Sequence, residues 1–178
     1  MKATGIVRRI DDLGRVVIPK EIRRVLRIKE GAPLEIFTKQ DGEIIFKKYS
    51  PIGELGEFAS DYVDTLSKTS GTAAVITDTD NVIAVSGIPK RELAEKRISH
   101  ALEKLMEEKT SFIMKNSDDK IPVTDDGDRY MAGVVYPIIS EGDTIGSVVL
   151  INENGTMGEV HEKLAQSAAG YLGKHMES

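Results

Sequence analysis

The sequence is poor in the residues that build covalent and metal cross-links. Its 178 residues include no cysteine. Disulfides and thiolate metal sites are therefore excluded, which is typical of proteins from a reducing compartment. Long hydrophobic runs are also missing, because the longest, at residues 132–139 and 148–151, are far shorter than the roughly 20 residues that cross a bilayer. We therefore expect a cytoplasmic protein that has no contact with membranes.

Residues suited to catalysis or metal binding are equally sparse. The three histidines, His100, His161 and His175, fall on predicted helices without a matching set of ligands. The acidic runs at 78–81 and 125–128 lack the glutamate that completes a calcium loop, so they are typical of ordinary turns. No nucleophile, base and orienting group lie close enough in the sequence to indicate a catalytic set. The sequence predicts no enzyme activity, no metal site and no cofactor.

Charge is divided unevenly along the chain, whose formal net charge is −5. Residues 1–50 hold 12 Lys and Arg against 7 Asp and Glu, whereas residues 51–178 hold 12 against 22. Such an asymmetry indicates different partners for the two segments, because a basic surface attracts polyanions and an acidic one limits indiscriminate binding. We therefore predict two domains, at residues 1–50 and 51–178.

Short strand patterns surround one short helix in the first segment. Its predicted strands, at residues 4–10, 15–18, 34–38 and 43–47, are rich in Ile, Val, Leu and Phe and are bounded by turn residues. Residues 19–28 place Ile22, Val25 and Leu26 on one helical face. The predicted order is ββαββ. Because so small a segment rarely buries a sufficient core by itself, we expect an intertwined or tightly paired dimer.

Arginine dominates the basic residues of this segment, and its fork of donors contacts phosphates and guanine edges through paired hydrogen bonds. Arg23 and Arg27, four residues apart on the predicted helix, repel each other at a cost of roughly 0.2–0.5 kcal/mol, which an anionic partner would offset. Charge alone leaves open a solvated basic helix face that pairs with Glu21 or Glu30. The basic residues singled out in this way are Arg8, Arg9, Arg15, Lys20, Arg23, Arg24 and Arg27.

A resemblance to a known family sharpens this prediction. Residues 4–19 read TGIVRRIDDLGRVVIP and residues 21–28 read EIRRVLRI. This pattern strongly resembles the AbrB-like DNA-binding domain over almost all of the first segment. The resemblance implies a swapped-hairpin β-barrel that two chains build together. It also implies that arginines contact double-stranded DNA; these fall on Arg8, Arg15, Arg23 and Arg24, with Arg9, Lys20 and Arg27 as additional candidates.

The second segment alternates helices and strands in an α+β arrangement. Its predicted helices span residues 51–67, 98–106 and 156–176, the last capped by Thr156 with Glu159 three residues on. Its predicted strands span residues 72–77, 82–86, 111–115, 121–124, 130–139 and 144–152. The runs at 47–52, 84–87, 156–160 and 168–172 resemble regulators that join an AbrB-like domain to a GAF-like one, which implies an antiparallel sheet packed with helices. Small-molecule sensing and pure assembly both stay open as its role.

The first and last helices of this segment carry more apolar residues than one sheet can cover. We therefore expect them to meet their equivalents from another chain, so that two dimers pair into a tetramer. The predicted oligomerisation residues are Leu55, Phe58, Tyr62, Leu66, Val160, Leu164 and Tyr171.

Together these patterns predict a DNA-binding transcription regulator, and the resemblance implies control of sporulation genes. Its partners would be double-stranded DNA, other copies of itself and an unidentified small-molecule effector. Two alternatives stand beside this prediction. Antitoxin-type autoregulators share the N-terminal fold but usually carry a disordered toxin-binding tail, whereas residues 51–178 have the pattern of a folded domain. The other alternative is an effector sensor without DNA binding, against which the intact set of arginines counts.

Overall fold

In the computed structural model, residues 4–116, 118–127, 129–153 and 157–177 are described. The chain divides into two compact units, Met1–Tyr49 and Ser50–Ser178, which are called the N-terminal unit and the C-terminal unit below. The N-terminal unit contains helix α1 (Lys20–Val25) and a hairpin of strands β1 (Leu34–Thr38) and β2 (Ile44–Lys48).

Helix α1 and the β1–β2 hairpin confirm the second half of the order predicted for this unit. Strands β1 and β2 pair antiparallel, with Ile36 opposite Phe46. Gly42, at a φ of +85°, supplies the left-handed backbone that the turn between them needs. The helix is shorter than predicted because Arg27 has a φ of +49°, which ends the right-handed helical path after Val25.

The first half of that order, with strands at residues 4–10 and 15–18, is not formed as a ladder within one chain. Among the described residues this segment makes a turn, in which the N–H of Asp11 donates to the carbonyl of Arg15 at 3.0 Å and that of Gly14 donates to the carbonyl of Asp11 at 3.0 Å. A strand is stable only where its N–H and C=O groups find partners along its length. The backbone groups on the facing edges of β1 and β2 already pair with each other, so those edges offer no partner to residues 4–18.

Apolar side chains of the N-terminal unit remain at its surface. Pro19 is the one buried residue among residues 4–49, and the exposed fractions of Val7 and Val25 are 90 % and 70 %. The other large apolar side chains exposed here are Ile6, Ile10, Leu13, Val16, Val17, Leu26, Ile36, Phe37, Ile44, Phe46 and Tyr49. Single exposed apolar side chains are normal in soluble proteins, but so many in one short segment indicate an interaction site. The described residues of one N-terminal unit therefore enclose no core of their own.

The C-terminal unit is built on one antiparallel sheet of five strands in the order β4-β3-β7-β6-β5. Its strands are β3 (Ala74–Thr77), β4 (Val82–Ser86), β5 (Phe112–Ile113), β6 (Ala132–Ser140) and β7 (Asp143–Ile151). Glu141 and Gly142 join β6 to β7 and both have positive φ, the geometry whose twist matches that of paired strands. The strand predicted at 121–124 is wrong: Pro122 and Thr124 make isolated bridges only, and Pro122 has no N–H to donate to a ladder.

In the described part of the C-terminal unit, four α-helices accompany this sheet: α2 (Pro51–Glu54), α3 (Gly56–Ser70), α4 (His100–Glu107) and α5 (Glu159–His175). Helices α2, α3 and α5 pack on one face of the sheet, where side chains such as Val63, Leu150 and Leu172 are fully buried. Helix α4 and the segments around it pack on the other face, against Val75 and Val149. Neighbouring residues of one strand thus serve opposite faces, as the pleat requires. In the part of the chain that the structure describes, no helix is both long and apolar enough to cross a membrane.

The ends of the helices in the C-terminal unit agree only in part with the ends predicted from sequence. Ser50 Oγ accepts a hydrogen bond from the N–H of Gly53 at 3.1 Å, with Pro51 in the first turn, so the predicted start is confirmed. The single helix predicted over 51–67 is instead broken at Leu55, where two nearby glycines, Gly53 and Gly56, lower helix propensity. The cap predicted at Thr156 lies outside the described residues, and α5 begins at Glu159.

The contact of α5 with the sheet depends on a glycine. A Cβ atom at Gly173 would lie 2.1 Å from the carbonyl oxygen of Ile139 in β6. We predict that Gly173→Ala lowers the free energy of unfolding by about 1–3 kcal/mol, because the helix must move away from the strand. Gly170→Ala is the matched control: apart from its own helix backbone and chain neighbours, no described heavy atom lies within 4 Å of its Cβ position, so the gain in helix propensity should raise stability by about 0.8–1 kcal/mol. Urea denaturation measures both, and equal midpoints would contradict the close approach.

Candidate nucleic-acid interface

The residues predicted to contact DNA lie at three places in the N-terminal unit. Arg8 and Arg9 precede the turn at residues 11–15, and Arg15 closes that turn. The remaining four are gathered on and just after the short helix α1, as Lys20, Arg23, Arg24 and Arg27. All seven are exposed to solvent except Arg27, which is half-buried. Their accessible cationic groups are of the kind that attracts a polyanion.

The turn at residues 11–15 organises Arg15 in detail. Asp11 Oδ1 accepts hydrogen bonds from the backbone N–H of Leu13 at 3.0 Å and of Arg15 at 2.7 Å. Its other oxygen, Oδ2, accepts one from Arg15 Nε at 2.8 Å. The backbone N–H and the guanidinium of Arg15 together hold the pKa of the Asp11 carboxyl below its usual value. Gly14 completes the turn with a φ of +76°, a conformation that favours glycine.

Arg23 is held in a similar way on α1. Its Nε donates to the carbonyl oxygen of Ile18, just before the helix, at 3.2 Å. A guanidinium carries five N–H donors, so a bond through Nε occupies one of them. In each of Arg15 and Arg23, both Nη groups therefore remain free to bind a phosphate or a guanine edge through two parallel hydrogen bonds.

Aromatic rings link helices α3 and α5 of the C-terminal unit. Tyr62 of α3 stacks on Tyr171 of α5, with ring centroids 5.6 Å apart, and Phe58 stacks on His175 at 4.9 Å. Pairs at these distances stabilise beyond the area they bury. Burial and the neighbouring Tyr171 raise the pKa of the Tyr62 phenol. These four residues, called the aromatic cluster below, fix α3 against α5.

The predicted oligomerisation residues fall into three groups. Val160 and Tyr171 on α5 are 69 % and 50 % exposed. Leu66 is only 5 % exposed and packs in the core of its own unit, so it is unavailable to a second chain. The half-buried members of the set are Leu55, Phe58, Tyr62 and Leu164. Residues 160, 164 and 171 share one side of α5, because spacings of four and seven return to the same helical face.

Two residues of these surfaces were missed by reasoning from sequence. Asp11 lies between two predicted strands, and an aspartate followed three positions later by glycine is the pattern of a turn whose carboxylate binds nearby backbone N–H groups. His175 was considered only as a metal ligand, although it follows Tyr171 at the i, i+4 spacing that brings two rings together on a helix.

The other histidines belong to local contacts. His100 Nδ1 lies 3.6 Å from Glu103 Oε2 within α4, and His161 Nδ1 accepts a hydrogen bond from the N–H of Gly158 at 3.1 Å. Within the residues that the structure describes, no group of three or more His, Asp or Glu is arranged to hold a metal ion.

Comparison with known families divides the chain near the same point as the structure. Residues 54–177 match the family described as stage V sporulation protein T C-terminal, transcription factor. Residues 7–54 match a second family, described as antidote-toxin recognition MazE, bacterial antitoxin.

Relatives of known name extend this result to both units. The chain is 51 % identical over 177 residues to stage V sporulation protein T of Bacillus subtilis, covering 99 % of each chain. Its first part is 61 % identical over 51 residues to the transition state regulatory protein AbrB of the same organism, covering 29 % of this chain and 52 % of that protein. The predicted resemblance of residues 1–50 to AbrB-like domains is thereby confirmed.

Solved structures identify the fold of the C-terminal unit. A GAF domain from a phosphoenolpyruvate-protein phosphotransferase of Coxiella burnetii superposes with a TM-score of 0.54 at 15 % identity, covering 67 % of this chain and 80 % of that one. The predicted α+β fold, with a GAF-like antiparallel sheet packed with helices, is confirmed. An AbrB-type N-terminal unit joined to a GAF-like sheet defines a transcription regulator. The chain belongs to the stage V sporulation protein T family of transcription factors.

Proposed function

We propose that this transcription regulator binds double-stranded DNA through its N-terminal unit and controls genes of sporulation. The observation that carries the proposal is the set of exposed cationic side chains on and around α1, in a segment 61 % identical to AbrB. Arg8, Arg15, Arg23 and Arg24 are the proposed principal contacts, and Arg9, Lys20 and Arg27 are proposed to add contacts with phosphates. The part played in sporulation is inferred from the name of the relative that matches over nearly the whole chain.

We propose further that the DNA-binding form is a dimer of N-terminal units. The exposed apolar side chains of residues 4–49 support this, because a second copy could bury them while it supplies strand partners to residues 4–18. A swapped-hairpin barrel of this kind would carry two symmetry-related sets of arginines. Its DNA sites would then be pseudo-palindromic or selected by shape.

For the C-terminal unit we propose assembly as the main role. Val160, Leu164 and Tyr171 on α5, with Leu55, Phe58 and Tyr62, would join two dimers into a tetramer. The face of the sheet under α4 is filled by its own side chains, Leu102 and Met106 among them, which favours assembly over ligand binding. A small-molecule effector would regulate the protein only if it bound the two assembly states unequally.

The match of residues 7–54 to bacterial antitoxins favours a second candidate, an antitoxin-type autoregulator. In such a protein the part beyond the DNA-binding domain would bind a toxin as an extended tail. Residues 50–177 form a sheet with helices on both faces wherever they are described, which supports the regulator instead. The two candidates share DNA binding and differ in whether the C-terminal unit assembles with itself.

Salt dependence of DNA binding tests the proposal directly. Each phosphate that the protein neutralises releases counterions, so the affinity of the full chain should fall about 10³-fold or more between 50 and 200 mM salt. Fluorescence anisotropy of a labelled duplex of about 30 base pairs, long enough for two half-sites one or two helical turns apart, gives the dissociation constants. Failure of the full chain to bind duplex DNA at low salt would contradict the proposal.

A further inference from the structure

We infer that Asp11 positions the guanidinium of Arg15 for DNA binding, an inference that rests on the function proposed above. The carboxylate bonds the backbone of the turn through Oδ1 and the Arg15 side chain through Oδ2. One residue therefore fixes both where the Arg15 backbone lies and how its side chain leaves it. The bond to Arg15 uses Nε, so the two Nη groups stay available to an anionic ligand.

A carboxylate beside a DNA-binding arginine has an unfavourable effect on DNA binding that its positioning role must outweigh. Asp11 is exposed and negatively charged, so by charge alone it repels phosphates and weakens the binding of DNA. A free arginine side chain must also give up its rotamer freedom when it binds. Because Asp11 holds the Arg15 guanidinium before DNA arrives, that ordering cost is reduced in the complex. Positioning thus strengthens DNA binding while the charge of Asp11 weakens it, and positioning is the larger of the two effects.

The state of the carboxyl group is consistent with this role. The hydrogen bonds from Arg15 hold the pKa of Asp11 below its usual value. The carboxyl group is therefore ionised, and able to accept from Nε, throughout the neutral range in which DNA binding is measured. The positioning contact would be lost only in strongly acidic solution, as the pH falls through the lowered pKa.

If Asp11 acted on Arg15 by shielding and not by positioning, its mutation would change DNA affinity in the opposite direction. If Asp11 only shielded Arg15 until DNA displaced it, removal of the carboxylate would tighten binding, because a competitor and a repelling charge would both be gone. The sign of the change in affinity therefore separates positioning from shielding. A purely structural role in the turn would leave affinity unchanged in a variant that keeps the turn.

Asp11→Asn is that variant. Its amide oxygen can still accept from the N–H groups of Leu13 and Arg15, whereas its NH₂ group cannot accept from Arg15 Nε. Glu43→Gln is the matched control, because Glu43 also pairs at i, i+4 across a hairpin turn of the same unit, with Lys39 Nζ at 2.7 Å, and its replacement removes the same charge. Both full-length variants are compared with the parent chain by anisotropy on the same duplex of about 30 base pairs at fixed salt.

We expect Asp11→Asn to bind about 1.4- to fivefold more weakly, the range that measured exposed ion pairs span. Glu43→Gln should bind equally well or slightly more tightly. In an Arg15→Ala background Asp11→Asn should bind as tightly as its background or slightly more tightly, since the group it positions is absent and only a repelling charge is removed. The Arg15 Nε–H signal in a nitrogen-15 NMR spectrum of the free protein should shift in Asp11→Asn and stay in place in Glu43→Gln.

The outcomes separate this inference from the function on which it rests. A parent chain that does not bind the duplex would overturn both. A parent chain that binds while Asp11→Asn binds as tightly or more tightly would overturn the positioning role alone. An equal loss with and without Arg15 would also overturn it, because Asp11 would then act through another group. Weaker binding that disappears in the Arg15→Ala background supports it.

Discussion

Full-length protein with Ala at Arg8, Arg15, Arg23 and Arg24 should lose at least about a thousandfold in affinity for duplex DNA at physiological salt. Each of these side chains is exposed, so none stabilises a core, and circular dichroism should show an unchanged fold. In the proposed dimer the substitution removes two symmetry-related sets of four charges. Counterion release makes affinity depend steeply on that number, which is why the effect should be large.

The four single variants then sort the contacts by type. Loss of a phosphate contact should reduce the slope of log affinity against log salt by about one per contact and weaken binding to all sequences alike. Loss of a base contact should cost about 1–3 kcal/mol at one position of the site and leave the slope nearly unchanged. Lys163→Ala on α5 is the control for general charge, because it removes one cation from the C-terminal unit. Parent-like affinity of the folded quadruple variant would refute the proposed interface.

Prediction from sequence succeeded where local chemistry decides the structure. The alternation of apolar residues located β3, β4, β6 and β7, and Ser50 with Pro51 marked a helix start. It failed where tertiary context decides. Residues 4–18 have the composition of strands, yet a ladder needs a partner that the described part of one chain does not supply. Residues 121–124 likewise satisfy a strand pattern, but their position beside Met131 permits isolated bridges only.

The candidate site was predicted as a set of residue types and not as a geometry. Arginine clusters are visible in a sequence, because charge and side-chain type are local properties. The hydrogen bonds that hold Arg15 and Arg23 through Nε depend on backbone turns, and sequence spacing does not reveal them. Burial is similarly hidden: Tyr62 and Leu66 lie four residues apart on one predicted helix, yet Leu66 lies in the core and Tyr62 is half-buried beside Tyr171.

Assembly through α5 makes the second prediction with a large effect. The aromatic cluster holds α3 and α5 against each other through contacts between their rings. Val160, Leu164 and Tyr171 share one face of α5. Apolar side chains arranged along a helix face pack well against an equivalent helix, as in a bundle. Burial of this face between two dimers would hold four N-terminal units in one particle.

Charged residues on this face should therefore separate the tetramer into dimers. We expect Leu164→Lys with Tyr171→Lys, and the milder Val160→Glu, to halve the mass measured by light scattering, because an unpaired charge cannot be buried in an apolar contact. Dimers, and not monomers, should remain, since the N-terminal units are proposed to pair independently. DNA binding should become weaker and less cooperative, because linked binding surfaces raise each other's local concentration only while they stay joined.

Gln166→Lys supplies the control for this experiment, because Gln166 is exposed on a different side of α5 from residues 160, 164 and 171. It should keep the parent mass and the parent affinity. Leu164 is half-buried against its own core and Tyr171 belongs to the aromatic cluster, so the double variant could lose stability, whereas Val160→Glu changes a side chain that is 69 % exposed and should leave folding intact. An unchanged mass for folded Val160→Glu and for the double variant would show that α5 does not join the dimers. The face of α5 that carries Val160, Leu164 and Tyr171 would then have to bind a partner other than a second copy of this chain.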